Sequence, residues 1–295
     1  MKRNLFVIFG LMLEISYFSK SYSQIYLDPK AKVEDRVADL LSRMTLTEKL
    51  DYIGGENSMY IRAIEMLSIP QMKMSDGPVG VRTWGQTTAF PAGICSSATF
   101  DVDLVNRLGD AMGKDARARG VHFLLGPGLN IYRAPMCGRN FEYFGEDPYL
   151  SSRMAVAYVK GVQSHNVVST IKHFAANNQE WNRYSISSDM DERTLQEIYL
   201  PAFKAAVKEA DAGAVMSAYN LLNGTYCSQN HHLLVDILKN SWKFNGLVMS
   251  DWGATHDGVA ANYLNIPLPD FDNGVYLLQF KTNDEILTRK ILIHK

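Results

Sequence analysis

The chain has 295 residues, of which 46% are hydrophobic and 21% are charged, a composition typical of a globular protein with a substantial core. Its 30 basic and 31 acidic residues give a net charge of -1, so the overall charge does not favour a nucleic-acid or membrane-surface partner. Three widely spaced cysteines fit neither a disulfide framework nor a zinc site.

The first 23 residues have the features of a secretory signal peptide. The basic pair Lys2-Arg3 precedes the apolar run Leu5–Leu13, which is too short to span a bilayer, and Ser21-Tyr22-Ser23 has the pattern of a cleavage site. A buried first helix is the alternative, because Glu14 interrupts the apolar segment. We therefore predict a signal peptide over residues 1–23 and a secreted, periplasmic or cell-surface location.

Helix and strand signals then alternate along the chain. Asp28-Pro29 predicts one helix start, and the capping-box pattern Thr45-Leu46-Thr47-Glu48 predicts another. Five apolar segments are typical of buried strands: Gln71–Ser75, Val121–Leu125, Val167–His173, Gly213–Ser217 and Gly246–Ser250. Helix-like segments lie between them at Val102–Arg119, Ser152–Gln163 and Pro201–Asp211. This alternation predicts an α/β fold with parallel strands joined by helical crossovers.

Polar and glycine-rich segments follow these strands. In a barrel and in a doubly wound open sheet alike, the carboxyl ends of parallel strands form the ligand-binding face, so periodicity does not separate the two folds. No glycine-rich phosphate motif follows any strand, which disfavours nucleotide binding.

Asp251 ends one predicted strand and directly precedes Trp252. A carboxylate beside a flat aromatic side chain suits sugar chemistry, because sugars present apolar C–H faces. Asp251 is therefore a candidate nucleophile or base. The alternative is a strand-end acid that caps the next helix.

Lys172-His173 ends another predicted strand, and the amide-rich segment Asn177–Glu180 follows it. A cation, an imidazole and several amides form a suitable surface for a polyhydroxylated ligand. Lys172 could instead form a Schiff base, or be a surface lysine beside a core histidine.

Two further positions, Asp76 and Arg139, are candidate ligands for sugar hydroxyls. Asp76 lies in an Asp-Gly-Pro sequence that is also a common turn. Arg139 can donate to a pair of hydroxyls while Glu142 holds its guanidinium group, although a surface ion pair explains the same spacing. His256-Asp257 has no further ligand at suitable spacing, so we predict no metal site.

Five motifs in order resemble the N-terminal domain of glycoside hydrolase family 3. They are MSDGPVGVR (74–82), GRNFEYFGEDP (138–148), KHFAANNQE (172–180), MSAYN (216–220) and MSDWGATHDG (249–258). The segment DERTLQEIYLPAF (191–203) is similar to that family too, and the resemblance runs from about Asp28 to about Ala261. It implies a (β/α)8 TIM-like barrel, a retaining mechanism typical of β-glucosidases, and no cofactor.

The resemblance also implies roles for individual residues. Asp251 resembles the family's nucleophile, and Tyr219 resembles the tyrosine beside it. Trp252 resembles an aromatic residue on the leaving-group side. Four others resemble residues that bind the sugar in the cleavage subsite: Asp76, Arg139, Lys172 and His173.

Members of this subgroup normally continue into a second domain that supplies the acid/base glutamate. Here the resemblance fades near Ala260–Tyr263. We therefore predict a barrel domain over residues 24–262 that is incomplete at its last strand and lacks the acid/base residue. Glu142 and Glu180 are the nearest alternatives within the chain.

The segment 263–295 is predicted to form a C-terminal β-hairpin, with strands at Val275–Phe280 and Glu285–Ile293. It is similar to the final strands of type IX secretion sorting domains, which implies the export machinery as a partner.

The sequence thus predicts a retaining glycoside hydrolase acting on β-glucosides or related β-linked sugars. A catalytically impaired sugar-binding fragment and a Schiff-base aldolase that uses Lys172 are the alternatives.

Overall fold

The computed structural model describes residues 24–256 and the backbone of two later strands, 274–281 and 286–293. The predicted signal peptide and residues 257–262, where the predicted barrel domain ends, lie outside the described residues. The chain divides into two compact units at the Gln71–Met72 boundary. Among the described residues, no helix is long and apolar enough to cross a membrane.

The first unit contains the helices α1 (Val33–Arg43) and α2 (Leu46–Ile53) and the short antiparallel strands β1 (Gly55–Glu56) and β2 (Tyr60–Ile61). The predicted helix start at Asp28-Pro29 is wrong. The Asp28 carboxylate accepts the N–H of Lys30 at 2.9 Å in a local turn, so it is not available as a helix cap.

The predicted capping box is confirmed at the start of α2. The Thr45 hydroxyl accepts the N–H of Glu48, and the Glu48 carboxylate accepts the N–H of Thr45. These two hydrogen bonds satisfy donors that the first helical turn would otherwise leave unpaired.

The second unit alternates strands and helices. They are β3 (Met72–Asp76), α3 (Gly93–Ser97), α4 (Val102–Ala118), β4 (Phe123–Leu125), α5 (Pro148–Gln163), β5 (Val168–Phe174), β6 (Ser187–Ser188), α6 (Glu192–Thr194), α7 (Pro201–Ala210), β7 (Ala214–Ser217), β8 (Leu221–Leu222), β9 (Thr225–Tyr226), the π-type helix α8 (His232–Ser241) and β10 (Leu247–Ser250). A π-helical turn, Leu195–Tyr199, joins α6 to α7. All five predicted main strands are confirmed to within two residues.

Parallel pairing joins five strands of the second unit in the order β3-β4-β5-β7-β10. Neighbours in the sheet therefore follow one another in the sequence. A doubly wound sheet reverses its strand order at a switch point, whereas a (β/α)8 barrel does not. The curved sheet of this unit accordingly matches part of a TIM-like barrel.

Helix α5 lies at the centre of the helical layer, between α4 and α7. The helices α4 and α5 approach closely at Gly109 and Gly161, where a Cβ on Gly161 would lie 2.3 Å from the carbonyl oxygen of Asn106. The core lies between these helices and the sheet, whose Leu124 and Ile171 side chains are fully buried. This packing fixes the strand ends that carry the site.

The last two described strands, β11 (Gly274–Lys281) and β12 (Ile286–Ile293), pair in antiparallel fashion, with Gly274 opposite Ile293. The resemblance of this segment to a sorting domain stays a prediction.

Candidate active site

The predicted site residues lie at successive carboxyl ends of the parallel strands. These are Asp76 at the end of β3, Arg139 in the connection after β4, Lys172 and His173 in β5, Tyr219 after β7, and Asp251 and Trp252 after β10. Contacts between their side chains or main chains, some of them through Glu142, link all seven into one cluster.

Asp251 is a buried carboxylate held through one of its two oxygens. Its Oδ1 accepts the hydroxyl of Tyr219 at 2.7 Å and the N–H of Trp252 at 2.8 Å. Among the described residues, Oδ2 has no hydrogen-bond partner. Burial raises the pKa of Asp251, while the Tyr219 hydrogen bond opposes that rise. The carboxylate thus keeps one fixed and one available oxygen.

The ring of Tyr219 is itself held by two side chains from the loop after β5. The Arg183 guanidinium lies 4.1 Å from the ring centroid, and the Tyr184 ring meets it edge-on at 4.9 Å. Burial and the charge of Asp251 raise the pKa of Tyr219, so the phenol stays protonated and donates to Asp251.

Asp76 and Lys172 form an ion pair inside the site. The Lys172 ammonium lies 2.6 Å from Asp76 Oδ1 and 3.6 Å from Glu142 Oε2, and Arg82 pairs with Asp76 Oδ2. Burial alone would raise the pKa of Asp76, but the charges of Lys172 and Arg82 hold it below its usual value. Asp76 is therefore an ionised acceptor. Lys172 is 2% exposed, so the surface-lysine alternative is wrong.

The predicted contact between Glu142 and Arg139 is confirmed. Arg139 Nε donates to Glu142 Oε1 at 2.9 Å, and the second amino group of Arg139 lies 2.7 Å from His173 Nε2. The side chains of Arg139 and Glu142 are 18% and 5% exposed, so the alternative of a surface ion pair is wrong. The negative charge of Glu142 raises the pKa of Arg139 despite its burial.

His173 is fully buried and neutral. Burial and the charges of Arg139 and Lys172 hold its pKa well below the usual value. Because Arg139 donates to Nε2, the ring proton is assigned to Nδ1, which lies 3.2 Å from Asn130 Oδ1. The 3.5 Å approach of Nε2 to Asp251 Oδ2 is consequently not an ion pair.

An irregularity in β5 places Lys172 and His173 together in the site. The pairing with β7 shifts between Ile171, opposite Val215, and Phe174, opposite Ser217. Three steps on β5 thus match two steps on β7, as in a β-bulge. Consecutive side chains of a regular strand point to opposite faces, so this extra residue allows both neighbours to join the cluster.

The Asp-Gly-Pro sequence is a turn and also positions Asp76. The N–H of Arg82 donates to the Asp76 carbonyl at 2.9 Å and closes the turn. A Cβ on Gly77 would lie 2.0 Å from the Gly80 carbonyl oxygen. Only glycine fits at this position, so the turn that follows Asp76 restricts the residue after it, while Lys172 and Arg82 hold the Asp76 carboxylate.

Trp252 joins the cluster through its main chain, and the residue is 36% exposed. Its stacking on a leaving group stays a prediction. Within residues 24–256, no group of three or more His, Cys, Asp or Glu side chains is placed to hold a metal ion.

Sequence reasoning missed several partners of these residues: Arg82, Asn130, Tyr143, Arg183 and Tyr184. Asn130 and Tyr143 contact His173 from remote positions in the chain; Tyr143 lies within the motif GRNFEYFGEDP, but residue spacing does not show that it reaches His173. Arg183 and Tyr184 follow the KHFAANNQE motif by only a few residues, so a wider reading of that motif would have included them.

The consecutive parallel strands, with charged side chains at their carboxyl ends, are consistent with a domain of the TIM-barrel class. The chain belongs to glycosyl hydrolase family 3, since the model of the "Glycosyl hydrolase family 3 N terminal domain" matches residues 44–264.

Among curated relatives, it is 46% identical to thermostable beta-glucosidase B of Acetivibrio thermocellus over 236 residues, which cover 76% of this chain and 31% of that protein. It is also 46% identical to beta-glucosidase BoGH3A of Bacteroides ovatus over 273 residues, covering 87% and 36%. The solved structure of DesR, a beta-glucosidase from Streptomyces venezuelae in complex with D-glucose, gives a TM-score of 0.74 at 44% identity, covering 77% of this chain and 30% of that one. The chain thus spans about a third of the length of the curated relatives.

Proposed function

We propose that this chain carries the sugar-binding residues and the nucleophile of a retaining glycoside hydrolase that acts on β-glucosides or related β-linked sugars. The single observation that carries the proposal is the state of Asp251, whose Oδ1 is held by two donors while Oδ2 has no partner among the described residues. A retaining enzyme needs such a carboxylate to attack the anomeric carbon. Three relatives named as beta-glucosidases support the substrate class.

In the proposed reaction, Asp251 Oδ2 forms an ester bond to C1 as the bond from C1 to the leaving oxygen breaks. The leaving oxygen takes a proton from an acid, and water then cleaves the ester with retention of configuration. The positive charges of Lys172 and Arg139 favour the ionised form of Asp251. A carboxylate rather than a carboxylic acid is thereby available for attack.

The neighbouring charged side chains are suited to binding the sugar. Asp76 is an ionised acceptor for hydroxyl groups, while Lys172 and Arg139 are donors that their carboxylate partners hold in place. Neutral His173 adds an imidazole to the same wall. We propose that Trp252 stacks on the leaving-group side, because it directly follows the nucleophile.

Neither in-chain alternative for the acid is favoured by its contacts. Glu142 pairs with Arg139, and Glu180 Oε2 accepts from Arg183 at 2.5 Å. Each of these carboxylates is thus already engaged by a guanidinium group. We therefore propose that the acid lies outside residues 24–256.

The aldolase alternative is disfavoured by the ion pair of Lys172. A Schiff base forms from a neutral amine, whereas the Lys172 ammonium lies between the carboxylates of Asp76 and Glu142. A sugar-binding fragment without catalytic activity is the second candidate function. The same residues that would bind the sugar in a hydrolase, Asp76, Arg139, Lys172 and His173, would bind it there too.

Labelling with 2,4-dinitrophenyl 2-deoxy-2-fluoro-β-glucoside separates these functions, because its good leaving group needs little protonation. The mass of one fluoroglucosyl group on the peptide that contains Asp251, and its loss in Asp251→Asn, would support the hydrolase. Glucose binding by calorimetry without any label would favour the sugar-binding fragment. If the protein takes up no label and binds no glucose, both proposals are contradicted.

Secretion is a separate proposal, supported by Lys2-Arg3, the apolar run and the small residues around Tyr22. N-terminal sequencing of protein recovered outside the cytoplasm should begin near Gln24. Deletion of 263–295 tests the proposed export role of the tail, and export that is unchanged by the deletion would argue against it.

A further inference from the structure

Arg183 lies two contacts away from the proposed nucleophile. Its guanidinium group stacks over the ring of Tyr219, and the hydroxyl of Tyr219 donates to Asp251 Oδ1. The three residues come from the loop after β5 and from the ends of β7 and β10. The guanidinium group of Arg183, in the loop after β5, is thus connected through Tyr219 to the carboxylate of Asp251, which lies two strands further along the sheet.

The guanidinium group is fixed by its own partners. One amino group of Arg183 donates to Glu180 Oε2 at 2.5 Å, and the other donates to the Tyr184 hydroxyl at 3.2 Å. Glu180 also accepts from the Asn177 amide at 3.1 Å. Tyr184 in turn packs edge-on against Tyr219. The ring of Tyr219 therefore has a cation over its face and an aromatic edge beside it.

We propose that Arg183 is a positioning residue for the nucleophile, acting through Tyr219 to hold the hydrogen bond on Asp251 Oδ1 and leave Oδ2 available for attack. This inference rests on the proposed function of Asp251 as nucleophile.

Two physical effects support this role. A cation within about 6 Å of an aromatic centroid attracts the ring, and this restricts rotation of the phenol away from Asp251. The same positive charge draws electron density from the phenol and makes its hydroxyl a stronger donor. The charge of Arg183 accordingly acts to lower the pKa of Tyr219, against the larger effects of burial and Asp251.

The decisive experiment measures the rate at which Asp251 is labelled by the dinitrophenyl 2-fluoroglucoside as a function of pH. Arg183→Met retains an unbranched apolar stem and removes the charge. We expect labelling to slow by about three- to thirtyfold near neutral pH, the range that cation–π contacts imply. The acid limb of the profile should also move to higher pH, and Arg183→Lys should recover much of the rate.

A double variant shows whether Arg183 acts through the hydroxyl of Tyr219. In the Tyr219→Phe background, Arg183→Met should change the labelling rate by less than about twofold, because the hydrogen bond is already absent. An equal loss in both backgrounds, or an unchanged acid limb in Arg183→Met, would overturn the proposal.

The chain offers a matched control. Arg153, on α5, donates to both carboxylate oxygens of Glu209 on α7 at 2.7 Å and lies 5.7 Å from the ring centroid of Tyr149, so it has the same kinds of partner as Arg183. Arg153→Met should leave the labelling profile unchanged. If Arg183→Met does not fold, as judged by thermal melting, Glu180→Gln tests the same link by releasing the guanidinium group.

A second readout requires no reaction. The 13C carboxyl resonance of Asp251, identified by its loss in Asp251→Asn, should titrate at higher pH in Arg183→Met than in the unmodified protein. A shifted titration in a chain that takes no label would contradict the proposed hydrolase and support the positioning contact. An unshifted titration would overturn the positioning role.

Discussion

The hydroxyl of Tyr219 lies 2.7 Å from Oδ1 of Asp251 and joins the ends of the neighbouring parallel strands β7 and β10. Because the N–H of Trp252 donates to the same oxygen, both donors act on one side of the carboxylate. The carboxylate is therefore asymmetric before any substrate binds, with Oδ2 directed away from these donors.

The first prediction concerns Tyr219→Phe. Burial raises the pKa of Asp251 and the Tyr219 hydrogen bond opposes this, so the variant should raise the pKa further. The reason is that the hydrogen bond stabilises the ionised carboxylate, by about 1.5–3 kcal/mol for a bond to a charged group, and the variant loses it. The acid limb of the labelling profile should therefore move to higher pH. Tyr149→Phe, at a 73% exposed position, is the control, and identical profiles would refute the prediction.

The second prediction concerns the leaving group. Since Glu142 and Glu180 are both ion-paired, we expect a nitrophenyl glucoside to be cleaved by this chain far better than cellobiose. A phenolate leaves without a proton, whereas an alkoxide depends on the acid. Initial rates with the two substrates measure the difference. Equal turnover would show that an acid is present after all.

The third prediction concerns Lys172→Met. The substitution should weaken glucose binding and lower the free energy of unfolding at pH 7 by about 3 kcal/mol, because it leaves buried carboxylates without their cation. The charge of Lys172 helps to hold the pKa of Asp76 in the folded protein below its ordinary value of 3.8. The stabilisation by this ion pair is therefore present above pH 3.8 and is lost as the pH falls through the pKa that Asp76 has in the folded protein. Urea denaturation should therefore show a smaller difference below about pH 4.

A matched control for this substitution is Arg193→Met, which breaks an ion pair whose side chains are 82% and 58% exposed. Its effect should be below about 1 kcal/mol at either pH. Glucose affinity that is unchanged in Lys172→Met would argue against the sugar-binding role of this residue.

The fourth prediction concerns the turn beneath Asp76. Gly77→Ala would place a Cβ 2.0 Å from the carbonyl oxygen of Gly80, so the backbone must shift and the protein should melt at a markedly lower temperature. Gly54→Ala is the comparison, since its Cβ would meet nothing closer than 3.6 Å. Similar melting temperatures for the two variants would show that the turn tolerates a side chain.

The main strands could be predicted from the sequence because each is a short apolar segment ended by a polar or glycine-rich signal. The predicted helix start at Asp28 was wrong, because a local side-chain hydrogen bond competed with helix capping. It also placed the start of α5 at Ser152, although Asp147 caps the helix and Pro148 begins it. That start carried a recognisable signal, an acid followed by proline.

For the site, the sequence indicated which residues belong together but not how they contact one another. The tautomer of His173 depends on Arg139 and Asn130, which are 34 and 43 positions away in the chain. The support of Tyr219 by Arg183 likewise depends on how two strand connections pack. Such contacts follow from tertiary geometry, and residue spacing does not encode them.

The strand order also bears on synthesis at the ribosome. Because β3, β4, β5, β7 and β10 join the sheet in the order in which they are translated, each strand can add to the edge left by its predecessor without displacing it. Asp76, Arg139, Lys172 and His173 all emerge before Asp251. In a chain that becomes available from its N-terminus onward, the proposed wall for the sugar can therefore assemble before the nucleophile reaches the sheet.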